Sequence, residues 1–421
     1  MLETEKPPEK ALLVGITLPG IPRWEAEYTL EELASLTNTA GAEVVQQRII
    51  QERKKIDPAT FIGSGKVEFI ANLSKELNVD TIIFDAELSP AQVKNLERIT
   101  EKKIIDRTGI ILDIFAYRAK TKEAKTQVEL AQLQYLLPRL TKFWSHLSRQ
   151  VGGIGTRGPG ETQLEVDKRI IRDKISHLKE NLKKIAKQRE LRRRQRSDEF
   201  KVSLVGYTNA GKSTLLNALS NSNVFVEDRL FATLDPTVKI VNITQTRKFL
   251  LIDTVGFIQK LPPNLVASFR STLEEIVDSD LLLHVIDSSY PEIDKHIKAV
   301  NKVLSDLQIL DKPTIFVFNK IDKLEENNIK ISTLEYNPHV FVSAKYNKNL
   351  DKLLNLINRH LNEHFISLEI TLPIEKSNKI AKLYQIADIL EKKYNNNDVI
   401  IKFEINKKYL KELEKLEIYN R

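Results

Sequence analysis

Short apolar runs bounded by turn residues alternate with segments of helical period over the first 120 residues. Ala11–Ile16, the run from Val44-Val45, Thr81–Phe84 and Lys103–Ile105 read as strands. Between them, Leu30–Leu36 lies on an amphipathic helix, and Lys66–Leu77 forms a second. A third helix runs from Pro90 to Ile99, with Ser89 as its cap, and a fourth runs from a Thr108 cap through Tyr117. This alternation predicts a parallel α/β domain over residues 1–120. Within it, Gly63-Ser-Gly-Lys66 opens a helix. It is too short for a phosphate loop and reads as a tight turn, with an anion site as the alternative.

The period then changes. Leu130, Leu133, Leu137, Leu140, Trp144 and Leu147 make one heptad seam, and Leu164, Ile171, Ile175, Leu178, Leu182 and Ile185 make another. Residues 121–197 are therefore expected to form an antiparallel helical hairpin, with Pro138 kinking its first helix. The second helix, from Glu161 to about Arg196, would be roughly 50 Å long. The stretch Val151–Gly160 between the helices holds five glycines, more chain than a turn needs.

Residues 198–366 return to strand–helix alternation. The strands are Phe200–Val205, Val238–Ile243, Phe249–Ile252, Thr314–Phe318 and Val340–Val342, and a helix covers Leu350–Phe365. Beyond them, strands at Leu368–Leu372 and Val399–Phe403 alternate with helices at Lys379–Tyr394 and Lys408–Leu416. That pattern predicts a small α/β domain over residues 367–421.

The loops that leave these strands carry the chemistry. Gly206-Tyr-Thr-Asn209-Ala210-Gly211-Lys212-Ser213-Thr214 fits a phosphate-binding loop between a strand and a helix. Its backbone N–H groups and helix N-terminus suit an anion. Lys212 can reach the β- and γ-phosphates, and Ser213 can ligate Mg²⁺. Asp253-Thr-Val-Gly256 follows the next strand; Asp253 would hold Mg²⁺ through water, and the Gly256 N–H would touch the γ-phosphate. Asn319-Lys320-Ile-Asp322 reads guanine, because the Asp322 carboxylate accepts from a donor pair that adenine lacks. Ser343-Ala344-Lys345 completes the base site, with the Ala344 N–H on the guanine O6. Thr233 is the switch threonine expected to sense Mg²⁺ and γ-phosphate, with Thr237 as the alternative. Phe257 stands where Ras-like proteins place the glutamine that orients water. These features imply a Ras-like GTPase domain using GTP and Mg²⁺, with slow intrinsic hydrolysis and a need for an activator. Lys212, Thr233 and Gly256 are the expected catalytic groups.

Charge adds a partner. The net charge is +8, and cations crowd one stretch: thirteen Lys and Arg lie between Lys168 and Arg196, against Asp173, Glu180 and Glu190. One-signed charge of this density repels itself unless an anion binds, and RNA is the obvious anion. Arg149, Gly153, Arg157 and Gly158 around the glycine-rich stretch, with Lys168 and Arg172 on the long helix, are the candidate RNA contacts. No cysteine is present, which removes disulfides and thiolate metal sites. The chain shows no apolar signal core and no membrane-length apolar run, so a cytoplasmic monomer with no membrane partner is expected, in part ribosome- or membrane-associated.

Gly155-Thr-Arg-Gly-Pro-Gly-Glu-Thr-Gln-Leu-Glu165, Phe61-Ile-Gly-Ser-Gly-Lys66, Phe231-Ala-Thr-Leu-Asp-Pro-Thr237 and the apolar residue after Gly256 together resemble the HflX-type ribosome-associated GTPases of the Obg-HflX group. The resemblance runs from about residue 10 to the C-terminus. It implies a translational GTPase that binds ribosomal RNA of the large subunit, with the hairpin loop reaching towards the peptidyl-transferase centre. It also implies separation of stalled ribosomes, notably under heat stress, and contacts to ribosomal proteins. Members have been linked to ATP use by the N-terminal domain, which would give Gly63–Lys66 a role. Two other classes stay open. One is an RNA-remodelling ATP- or GTP-dependent enzyme, opposed by the lack of a cysteine nucleophile or a clear acid/base pair. The other is a ribosome-assembly GTPase.

Overall fold

The computed structural model describes residues 8–140, 163–194, 199–220, 222, 227, 229–244, 246–260, 262, 270–324, 336–373, 383–395, 398–410 and 413. They form two compact units. The first comprises Met1–Glu190 with Asp228–Asp235 and Lys260–Ser271; the second comprises Leu191–Glu227, Pro236–Gln259 and Thr272–Arg421.

The first unit opens as strand–helix pairs: β1 (Lys10–Thr17), α1 (Arg23–Thr39), β2 (Glu43–Glu52), α2 (Ser64–Glu76), β3 (Thr81–Phe84), α3 (Pro90–Thr100), β4 (Lys103–Asp106) and α4 (Arg107–Arg118). The four strands form a parallel sheet in the order β2-β1-β3-β4. Leu12, Val14, Ile82 and Phe84 are buried in its core, as expected for strands covered on both faces. Ser89 caps α3 in a reciprocal box with Gln92: the Gln92 N–H donates to the Ser89 hydroxyl at 3.2 Å, and the Ser89 N–H donates to Gln92 Oε1 at 2.9 Å. The cap of α4 is not Thr108 but Asp106, whose carboxylate accepts the Gly109 N–H at 2.9 Å. Asp outcompetes Thr here because its charge also complements the helix N-terminus.

Helix α5 (Lys122–Leu136) stops at a 3₁₀ turn, Leu137–Arg139, that contains Pro138. Where the sequence suggested a kinked helix, the proline ends one, since it cannot supply the next helical N–H. Helix α6 (Gln163–Arg194) runs for 32 residues, about 48 Å at 1.5 Å per residue. Ile171, Ile175 and Leu178 of α6 are buried with Leu130 and Leu140, so the two heptad seams meet. Trp144, Leu147 and the glycine-rich stretch lie outside the described residues.

The second unit holds β5 (Lys201–Gly206), α7 (Lys212–Ser220), β6 (Thr237–Asn242), β7 (Lys248–Asp253), α8 (Arg270–Val277, which starts in the first unit), β8 (Leu281–Asp287), α9 (Ile293–Asp306), β9 (Thr314–Asn319), β10 (His339–Phe341) and α10 (Leu350–Asn362). Its six-stranded sheet has the order β10-β9-β8-β5-β7-β6, parallel except for the β6–β7 pair. β5 lies between β7 and β8, so its C-terminal end opens at the crevice where such sheets bind ligands. No described helix is long and apolar enough to cross a membrane.

The C-terminal region differs from the expectation. β11 (Phe365–Pro373), β12 (Ala387–Asn395) and β13 (Asp398–Asn406) form an antiparallel sheet in the order β11-β13-β12. Residues 387–394 are a strand, not the end of a helix. Their Glu and Lys favour helix locally, but pairing with the apolar β13 outweighs that weak preference. The expected helix over Lys408–Leu416 opens with a 3₁₀ turn, Lys407–Tyr409; Leu410 and Leu413 are helical, and the other residues beyond the turn lie outside the described set.

Candidate nucleotide-binding site

The phosphate loop is shaped by backbone that other residues could not adopt. Gly206 has φ +153°, and a Cβ there would sit 2.2 Å from the Val285 carbonyl oxygen. Gly211 has φ +90°, and a Cβ would sit 2.3 Å from Asn319 Nδ2. Asn209 takes the left-handed conformation at φ 60°, which Asn tolerates better than most residues. Ala210 is buried, and its carbonyl accepts Asn319 Nδ2 at 3.0 Å. Ser213 and Thr214 follow on the first turn of α7, half-buried.

Lys212 opens α7 and folds back. Its ammonium donates to the carbonyls of Gly206 at 3.1 Å and Tyr207 at 2.8 Å. Burial pushes it down to about 8; Asp253 pulls it up and Lys320 pushes it further down. The Ser213 hydroxyl donates to Asp253 Oδ2 at 2.6 Å. A hydroxyl and a carboxylate this close are the hard oxygen donors that Mg²⁺ prefers.

The residues expected to read the base follow β9 and β10. Asn319 ties the two loops together, since its Oδ1 accepts the Ala344 N–H at 3.0 Å. Ser343 donates its hydroxyl to Asp322 Oδ1. The Lys320 ammonium pairs with Asp287 at 2.8 Å, and Lys345 is exposed with its ammonium over the Tyr346 ring. Hydrogen bonds thus join Lys212 to the Gly206 carbonyl, Ser213 to Asp253, Asn319 to Ala210 and Ala344, and Ser343 to Asp322.

Gly256 lies close to the glycine-rich loop at residues 206–211. A Cβ on it would lie 2.8 Å from Thr208 Cα and 3.0 Å from Lys212 Nζ. Gly256→Ala should therefore push this loop off the phosphate loop. Hydrolysis should fall about 10- to 100-fold while GDP affinity stays within about threefold, if the Gly256 N–H serves the γ-phosphate as its sequence position suggests. Single-turnover hydrolysis alongside GDP titration checks this; equal loss of both would show a general collapse.

Thr233 lies in the first unit. Its segment is anchored there: Phe231 is 2% exposed and meets Phe115 edge-on at 4.8 Å. The Asp235 carboxylate accepts the N–H groups of Lys120 at 2.9 Å and Thr121 at 3.2 Å. Thr237, the alternative, begins β6. Of the RNA candidates, Arg172 is exposed and Lys168 half-buried on α6, while Arg149, Gly153, Arg157 and Gly158 lie outside the described residues.

Comparison with known proteins then decides the family. Family models described as GTP-binding GTPase N-terminal, GTP-binding GTPase middle region and 50S ribosome-binding GTPase match residues 27–116, 118–196 and 201–320. A GTPase HflX of Flavobacterium psychrophilum is 53% identical over 326 residues, covering 77% of this chain and 78% of that one. One of Caldanaerobacter subterraneus subsp. tengcongensis is 46% identical over 407 residues, covering 96% and 93%. One of Escherichia coli is 44% identical over 380 residues, covering 89% of each. The chain belongs to the HflX GTPase family. It is a GTP-hydrolysing enzyme.

Two features of this HflX-family site were not visible in the sequence. His284, on β8 beside Val205 of β5, is fully buried, and burial followed by the charge of Lys212 pushes it down to about 3. It is a neutral ring in the sheet under the site. Tyr207 and His296 stack face to face although 89 residues separate them, a pairing that no local motif announces.

Proposed function

We propose that this chain is a GTP-driven translation factor that binds the large ribosomal subunit and separates stalled ribosomes, with hydrolysis stimulated by the ribosome. The observation that carries this reading is Phe257. It follows Gly256 directly, is 1% exposed, and offers only an apolar ring where hydrolysis needs water oriented. A site built this way waits for a partner to complete it. The description of the family model over residues 201–320 names the 50S ribosome as what such proteins bind, and a cytoplasmic monomer fits that role.

In this reading, backbone N–H groups from Asn209 to Thr214 cradle the phosphates and Lys212 meets the β- and γ-oxygens. Ser213 and Asp253 would hold Mg²⁺, which when bound draws charge off the phosphate oxygens, and Thr233 is the switch threonine of this reading. The Gly256 N–H meets the γ-phosphate. Asn319, Lys320 and Asp322 take the guanine with Ser343, Ala344 and Lys345. The exposed cations of α6, Arg172 among them, and Lys168 lie against ribosomal RNA, with Arg149, Gly153, Arg157 and Gly158 at the leading loop. GTP orders the switches, the hairpin enters RNA, the subunits part, and hydrolysis releases the factor.

Hydrolysis measured with and without purified large subunits tests the reading. Stimulation of about 100-fold or more is expected, by analogy with other GTPases completed by a partner. Unchanged turnover with GTP bound would remove the ribosome as activator, and binding confined to immature subunits would make the chain an assembly factor.

A further inference from the structure

Tyr207 is the second residue of the phosphate loop and is 5% exposed. Its ring stacks on His296 with centroids 3.7 Å apart and planes 10° from parallel. His296 stacks in turn on Tyr290 at 4.3 Å and 21°. The Tyr207 hydroxyl accepts the Gln259 N–H at 2.8 Å. Two further bonds run alongside: the Phe257 N–H donates to the Gly206 carbonyl at 3.1 Å, and the Thr208 N–H donates to the Phe257 carbonyl at 2.7 Å. Residues 257–259 are thereby zipped to residues 206–208. Gly256, at the start of this zipper, is held against Thr208 Cα and the Lys212 ammonium.

We propose that Tyr207 is a positioning residue for GTP hydrolysis: through its hydroxyl on Gln259 and its ring on His296, it sets where the Gly256 N–H meets the γ-phosphate. The proposal rests on reading residues 206–214 and 253–256 as the phosphate site. The argument is one of selectivity. Without the hydroxyl, the Gln259 N–H loses its acceptor and the far end of the zipper frays. The group that shifts touches only the γ-phosphate, so GTP and its transition state lose a contact that GDP never makes. The stack needs shape rather than charge. Burial pushes His296 down to about 4 against the upward pull of Asp287, so the ring is neutral at pH 7. Another flat ring should replace it.

The test uses full-length Tyr207→Phe, His296→Ala and His296→Phe, with Lys212→Ala as control. The readouts are single-turnover GTP hydrolysis, affinities for fluorescent GDP and a non-hydrolysable GTP analogue, and the thermal midpoint. Tyr207→Phe should slow hydrolysis about tenfold and weaken the analogue by about three- to tenfold, with GDP affinity within about twofold of wild type. His296→Ala should move the same way, and His296→Phe should return hydrolysis to near wild type. An unchanged rate and analogue-to-GDP ratio in Tyr207→Phe would overturn the proposal, as would GDP affinity falling in step with the analogue. The phosphate-site reading fails separately, if Lys212→Ala binds both nucleotides as well as wild type does.

Discussion

Replacing Asp322 by Asn should weaken GTP binding roughly 1,000-fold and make XTP the better ligand, as expected when a site built to accept two hydrogen bonds loses one of its acceptors. Asp322 stands just past β9, where Ser343 already donates to one of its oxygens. The carboxylate has only acceptors to offer, and guanine presents two donors on that edge, the N1–H and the exocyclic amine. Asn turns one acceptor into an NH₂, which faces a donor. Xanthine carries a carbonyl in place of the amine and accepts from that NH₂. Because Asn and Asp have the same shape, Asn319 and the glycines of the phosphate loop keep their places. Competition titrations with GTP, XTP and ATP check the swap. Loss of all three nucleotides together, or undiminished GTP binding, would mean that Asp322 does not read the base.

That prediction could be written from the sequence because the chemistry is local. Gly206, Gly211 and Lys212 sit at fixed offsets, and each remaining motif leaves the end of an apolar strand. The period of a strand or a heptad seam is also local, so the parallel sheets and the meeting of Leu130 with Ile171 and Ile175 were legible. What was missed depends on partners far along the chain. Residues 387–394 have the composition of a helix and become a strand only because β13 pairs with them. Asp106 displaced Thr108 as a cap from the last position of a strand, a residue counted as sheet rather than helix. Phe231 and Asp235 were legible only as part of the switch segment and of a family motif, not as anchors. The packing of Phe231 on Phe115 and the bonds of Asp235 to the Lys120 and Thr121 N–H groups just before α5 join residues more than a hundred positions apart.

The most consequential of these distant pairings is the charge cluster around Arg107. This side chain is 2% exposed. It donates to Asp85 Oδ1 at 2.7 Å and to Glu32, whose side chains are 4% and 6% exposed. Asp85 Oδ2 also takes the Lys260 ammonium at 2.7 Å. Four residues from α1, the end of β3, α4 and the 260–271 segment therefore share one buried centre in the first unit. Arg107→Met keeps most of the volume and removes the cation between two buried carboxylates. Breaking a buried pair in this way costs about 3–5 kcal/mol, because the remaining charges stay desolvated. At roughly 2–4 °C per kcal/mol for a unit of this size, the melting midpoint should fall by about 10 °C. The half-exposed Lys260 is a poor substitute, since solvent screens it. Replacing all three charges, Glu32→Gln and Asp85→Asn with Arg107→Met, should restore much of the loss, because no ion is then left buried. Thermal melts of the single and triple variants decide the matter. A single variant within about 1 kcal/mol of wild type would show the cluster to be solvated, and a triple variant no better than the single would place the loss in packing rather than charge.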